Sequence, residues 1–146
     1  MRSGRQNPCS CMTGDEMQFL AGDIGGTNSR LWLLEAAGDG WHTLHERVFD
    51  SGAYESFEAV LREFLDRAAA RPASACVAIA GPVRERDGAQ TVEVTNLPWR
   101  LDSRALAAAF AIPRVQLIND FQATGYGIGR LAQQDLVVLQ AGAAGA

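Results

Sequence analysis

From Met17 onward the chain alternates between two hydrophobic periods, and the switch points mark its elements. Gln18–Ala21 begins a strand that runs into Gly22-Asp23-Ile24-Gly25-Gly26-Thr27-Asn28, and Ser29–Ala36 (SRLWLLEA) reads as a second strand. A Gly38-Asp39-Gly40 turn leads to a third, Trp41–Phe49, so the first three strands form a meander. Over Ser56–Ala70 the period lengthens: Phe57, Val60, Leu61, Phe64, Leu65 and Ala68 recur at i, i+3, i+4, i+7, i+8 and i+11, the stripe of an amphipathic helix. Pro72 follows as a stop. Ala75–Ala80 (ACVAIA) is a short apolar run of the kind a buried strand shows, and Gly81-Pro82 breaks it. A polar turn over Arg84–Gly88 returns into Thr91–Thr95.

A second helix is expected to start with Asp102 as its cap, with Leu101 and Leu106 in the two places of a hydrophobic staple, and to run to Ala111. Val115–Ile118 reads as another buried strand, Phe121–Leu131 as a third helix and Leu136–Leu139 as a last short strand. A meander followed by alternating helices and strands implies an α/β fold, a mixed sheet with helices on its faces, as in a ribonuclease-H-like or actin-like half. Residues 17–146 are read as one such unit. Residues 1–16, without periodicity, read as a disordered extension, and the trailing AGAAGA reads as a cut rather than a natural end.

Composition narrows the chemistry. All thirteen basic residues are Arg, which closes the Walker-type phosphate loop and any Schiff-base chemistry, since both need Lys. A net charge of −4 without a basic run argues against nucleic acid. Cys9, Cys11 and Cys76 are an odd count without a disulfide framework, and Cys76 is expected to be a small core residue. Residues 1–16 hold no apolar leader segment and no stretch reaches membrane-spanning length, so a reduced cytoplasmic setting is expected.

Three segments carry candidate chemistry. Gly25-Gly26 leaves backbone N–H groups open to an anion, Thr27 adds a hydroxyl, and Asp23 suits a hydrated Mg²⁺ beside phosphates. The loop leads into a strand, so it is not a Rossmann fingerprint, which opens a helix. Asn119-Asp120 stands at the end of a buried strand, where an α/β sheet presents its ligand crevice. Asp120 is placed either to accept a hydroxyl proton or simply to cap the following helix. Thr95-Asn96-Leu97-Pro98-Trp99 suits hydroxyl recognition with Trp99 as a wall, or is a surface loop with Trp99 tucked into the core.

Taken in order, LAGDIGGTNSRLWL, AIAGPV, VTNLPW and LINDFQATGYGI, with the helix segment YESFEAVLREFL, resemble the bacterial glucokinase family along nearly the whole chain after Met17. The resemblance implies an actin-like ATPase lobe and ATP-dependent phosphorylation of the 6-hydroxyl of glucose, at the entry to glycolysis. It implies Asp120 as general base, Asn119 and the Thr95–Asn96 loop as sugar contacts, and Gly22, Asp23, Ile24, Gly25, Gly26 and Thr27 as a phosphate-binding loop with Asp23 near Mg²⁺. It further implies a homodimer, with the second phosphate loop, the remaining sugar ligands and the adenosine site all beyond Ala146. Such a chain alone is expected to be inactive. A sugar-sensing regulator on the same lobe, or a kinase for another sugar, stays open; residues 1–16 are too short for a DNA-binding helix-turn-helix.

Overall fold

The first three predicted strands form a hydrogen-bonded ribbon in the computed structural model, which describes residues 17–38 and 40–139. Strands β1 (Gln18–Ile24), β2 (Asn28–Ala37) and β3 (Gly40–Asp50) pair antiparallel as the expected meander. Strands β4 (Ser74–Ile79) and β8 (Arg114–Asn119) then add in parallel, giving a five-stranded mixed sheet in the order β3-β2-β1-β4-β8. A second, three-stranded sheet holds β5 (Arg84–Arg86), β6 (Ala89–Glu93) and β7 (Arg100–Asp102).

The core lies on one face of the large sheet. Leu20, Ile24, Leu31, Leu33, Val77, Ile79 and Leu117 point to it, and helix α1 (Phe57–Ala68) covers it with Phe57, Val60, Leu61, Phe64 and Leu65. Ser56 caps α1 by accepting from the Ala59 N–H, and Ala69 ends it in the left-handed region. Tyr54 donates to Glu63 at 2.8 Å, with Arg47 and Arg67 on the other carboxylate oxygen at 3.0 and 3.1 Å, so the helix is also tied to β3. The Tyr54 hydroxyl holds the Glu63 carboxyl below its usual range, and the two guanidiniums act in the same direction.

Helix α2 (Ser103–Phe110) begins as expected. Asp102 accepts from the Arg104 and Ala105 N–H groups, and Leu101 and Leu106 are both fully buried. Helix α3 (Asp120–Ile128) is shorter than predicted and does not reach Leu131. Gly125 and Gly127 lie in its second half and Gly129 is its C-cap, and glycine is the poorest ordinary helix former. The chain leaves it in tight turns, Arg130 N–H to Gly127 O and Leu131 N–H to Ile128 O.

The expected strand over Leu136–Leu139 does not form. That stretch joins no sheet and follows a 3-10 turn at Gln133–Asp135, with exposures of 52% at Leu136 and 95% at Leu139. Apolar composition alone cannot make a strand without a partner edge. Cys76 is also corrected: alternation along β4 sends Ala75, Val77 and Ile79 into the core and Cys76 to the opposite, exposed face. Desolvation there still raises its thiol pKa. That face carries Phe19, Leu34 and Trp41, and α3 buries none of its own side chains among the described residues. Cys9, Cys11, the expected disordered extension and the AGAAGA tail lie outside the described residues. No helix among the described residues is long and apolar enough to cross a membrane.

Candidate active site

Register brings the three candidate segments to one edge. Ile24 of β1 stands opposite Ile79 of β4, and Ile79 opposite Asn119 of β8. These three strands are parallel, so the loops that leave them emerge side by side at their C-terminal ends, as ligand crevices of α/β sheets do. Two strand spacings of about 4.8 Å separate the loop after β1 from the start of α3 by roughly 10 Å. A ladder continues past the strands: Ala80 N–H donates to Ile24 O at 3.0 Å, and Thr95 N–H donates to Ala80 O at 2.7 Å. The Thr95–Asn96 turn is thereby drawn in beside the other two.

The loop from Gly22 to Thr27 divides into a buried and an open part. Gly22 and Ile24 are buried within β1, where a Cβ on Gly22 would come within 3.0 Å of Leu31 Cδ2. Asp23, between them, is exposed on the other face of the sheet, opposite Arg30 and Ala78. Gly25 and Gly26 are half-buried and Thr27 is exposed. A Cβ on Gly26 would stand 3.3 Å from both Asn96 Cβ and the Thr95 carbonyl oxygen, so the glycine loop and the Thr95–Asn96 turn are in contact. Thr95 and Asn96 are exposed, and Asn96 takes a left-handed conformation at φ 64°, which Asn tolerates better than most residues. Trp99 is 3% exposed and donates its indole N–H to Tyr54 O at 3.3 Å. It anchors the turn from the core and is not a wall of the crevice.

At the end of β8 the roles of the adjacent polar residues separate. Asn119 caps α3, its Oδ1 accepting from the Phe121 N–H at 3.0 Å, while its Nδ2 donates to Gly81 O at 2.9 Å. Asp120 is exposed in the first turn of α3, with Oδ1 accepting from the Phe121 N–H at 2.8 Å. Its Oδ2 has no protein partner among the described residues. The helix therefore has its cap in Asn119, and one oxygen of Asp120 is left to act outward.

Gly81 is a site residue that the sequence marked only as a break. A Cβ there would lie 2.5 Å from the Glu93 carbonyl oxygen and 3.1 Å from Val92 Cγ2. Gly81→Ala is expected to cost about 1–3 kcal/mol through overpacking and to shift Asn119, whose amide it holds. Thermal melts against Gly127→Ala make the check. Gly127 has open space around its Cβ direction and lies in α3, so alanine there should be neutral or gain up to about 1 kcal/mol. Equal melting points for the two variants would contradict the assignment. Ser29 and Ser51 were also missed, although a Ser at an inward position of SRLWLLEA was a usable sign.

A hard cation held by one or two carboxylates, waters and phosphate oxygens fits an exposed Asp23 beside a glycine loop better than an all-protein cage. No group of three or more His, Cys, Asp or Glu side chains gathers among the described residues.

Known proteins resemble this chain in sequence and fold. The glucokinase family model matches residues 20–146. The glucokinase of Trichormus variabilis is 44% identical over 127 residues, which cover 85% of this chain and 36% of that protein. That of a Synechocystis species is 43% identical over 136 residues, covering 86% and 37%. The crystal structure of glucokinase from an Antarctic psychrotroph superposes with a TM-score of 0.72 at 31% identity, covering 87% of this chain and 39% of that one. Balamuthia mandrillaris glucokinase in complex with glucose gives a TM-score of 0.54 at 30% identity, covering 77% and 32%. The chain thus spans little more than a third of the relatives' length. With three loops gathered at one sheet edge and a family match along nearly all of the described fold, the chain belongs to the glucokinase family.

Proposed function

We propose that residues 17–146 are the N-terminal lobe of a glucokinase that transfers the γ-phosphoryl group of ATP to the 6-hydroxyl of glucose. The observation that carries this reading is the shared edge at Ile24, Ile79 and Asn119, which sets a glycine loop and a carboxylate with an uncommitted oxygen on one crevice. The glucose bound by the Balamuthia relative supports a hexose as the acceptor.

In this mechanism Asp120 takes the proton of the 6-hydroxyl as that oxygen bonds to the γ-phosphorus. The bond from phosphorus to the bridging oxygen breaks and ADP departs. Asn119 and the Thr95–Asn96 turn position the sugar hydroxyls. The Gly25 N–H, expected to be open, is instead closed onto Asn28 O at 2.9 Å within the turn, so the Gly26 N–H and the Thr27 hydroxyl bind phosphate oxygens, with Gly22, Ile24 and Gly25 shaping the loop. Mg²⁺, held through Asp23, would offset charge on the phosphates.

The complete enzyme is read as two-lobed, acting as a homodimer in the cytoplasm; the share of known glucokinases that this chain covers, 36% and 39%, supports the two-lobed part of that reading. On its own, the 146-residue chain is expected to form no glucose 6-phosphate above background, because positioning needs both walls of the cleft. A coupled assay on the purified chain checks this. Product formation that disappears in Asp120→Ala would overturn it.

A further inference from the structure

The glycine loop is pinned from beneath by a residue outside the phosphate-binding segment. Ser51, in the 3-10 turn Ser51–Ala53 that follows β3, is fully buried. Its hydroxyl donates to Gly25 O at 3.0 Å, and its backbone N–H donates to Thr27 O at 2.9 Å. Its Oγ also lies 2.8 Å from the Oγ of Ser29, likewise fully buried. A hydroxyl has a single proton, and that of Ser51 goes to Gly25, so Ser29 must be the donor in the serine pair. The result is a one-way relay: Ser29 hydroxyl to Ser51 hydroxyl to Gly25 carbonyl.

The far side of that carbonyl matters for chemistry. A trans peptide is planar, so its C=O and the following N–H point in opposite directions. The described residues contain no cis bond. With the Gly25 carbonyl directed at Ser51, the Gly26 N–H is directed away from the core, and it has no acceptor among the described residues. A peptide flanked by two glycines is the kind most free to rotate, because neither side has a Cβ to oppose the flip. The freedom that lets a phosphate approach would also scatter the donor unless something holds it.

We propose that Ser51 is a positioning residue for phosphate binding: its buried hydroxyl fixes the Gly25–Gly26 peptide so that the Gly26 N–H is already aimed at the nucleotide. This rests on the reading of Gly22–Thr27 as the phosphate-binding loop. A hydrogen bond to a charged acceptor is worth about ten- to a hundredfold in affinity.

The test uses the complete two-lobed kinase. Ser51→Ala is expected to raise KM for ATP about tenfold and leave KM for glucose within about twofold. A merely structural serine would move both constants together, or neither. An ATP KM within about twofold of the parent, or parallel rises for both substrates, overturns the proposal. Should Ser51→Ala not fold, amide spectra of the unsubstituted enzyme decide it. On adding inorganic triphosphate with Mg²⁺, the Gly26 N–H is expected to shift strongly downfield. A still Gly26 beside moving Asp23 or Thr27 amides overturns the positioning role alone. If no amide from Gly22 to Thr27 moves, the phosphate-loop reading itself fails, and this inference with it.

Discussion

In the complete kinase, Asp120→Asn is expected to lower kcat by about 100- to 10,000-fold while the protein stays folded, the usual range for loss of a general base. The substitution separates the two things this side chain can do. Asparagine keeps an oxygen able to accept from the Phe121 N–H, which Asp120 holds at 2.8 Å. It cannot take up the proton of an attacking hydroxyl. The cap of α3 belongs to Asn119, so the helix start survives and stability should change by no more than about 0.5 kcal/mol. Steady-state kinetics with glucose and ATP, together with a thermal melt, read both quantities. A loss of less than about tenfold in kcat would falsify Asp120 as the base. A large loss accompanied by a collapsed melting point would instead assign it to the helix start.

Phe64→Ala is expected to have the largest effect on stability, about 3–5 kcal/mol. Phe64 is fully buried at the centre of the α1 stripe, with its ring centroid 6.4 Å from that of Phe49 and 5.1 Å from that of His45. It joins the helix to β3, the edge strand of the sheet. Truncation removes the ring and leaves a cavity that α1 cannot close without giving up its tie through Glu63. Native domains are stable by only about 5–15 kcal/mol, so this one change consumes a large share. Urea unfolding monitored by circular dichroism measures it. Phe110→Ala, at a half-buried ring stacked by Arg62 at 5.7 Å, should cost much less. A Phe64→Ala loss below about 1.5 kcal/mol would show that α1 is not the helix that seals this core.

The amino-acid pattern by itself determined the meander, the α1 stripe, the Asp102 cap with its Leu101–Leu106 staple, and the buried strands that become β4 and β8. Each rests on local periodicity or on capping chemistry contained within a few residues. It also marked Asp23, Gly25, Gly26, Thr27, Asn119 and Asp120, because they stand at strand ends, where α/β sheets present their ligand crevice. Reading failed where the outcome depends on a distant partner. Leu136–Leu139 has the composition of a strand and no edge to pair with, and β7 is a three-residue strand made only by pairing with β6. Cys76 was misplaced because an apolar run does not say which of its faces is covered. The tertiary structure alone decided that Ile24, Ile79 and Asn119 share a level, that Gly81 must lack a Cβ, and that a serine twenty-six residues from Gly25 holds its carbonyl. Register, close approach and long-range hydrogen bonds join residues far apart in the chain, and no local period encodes them.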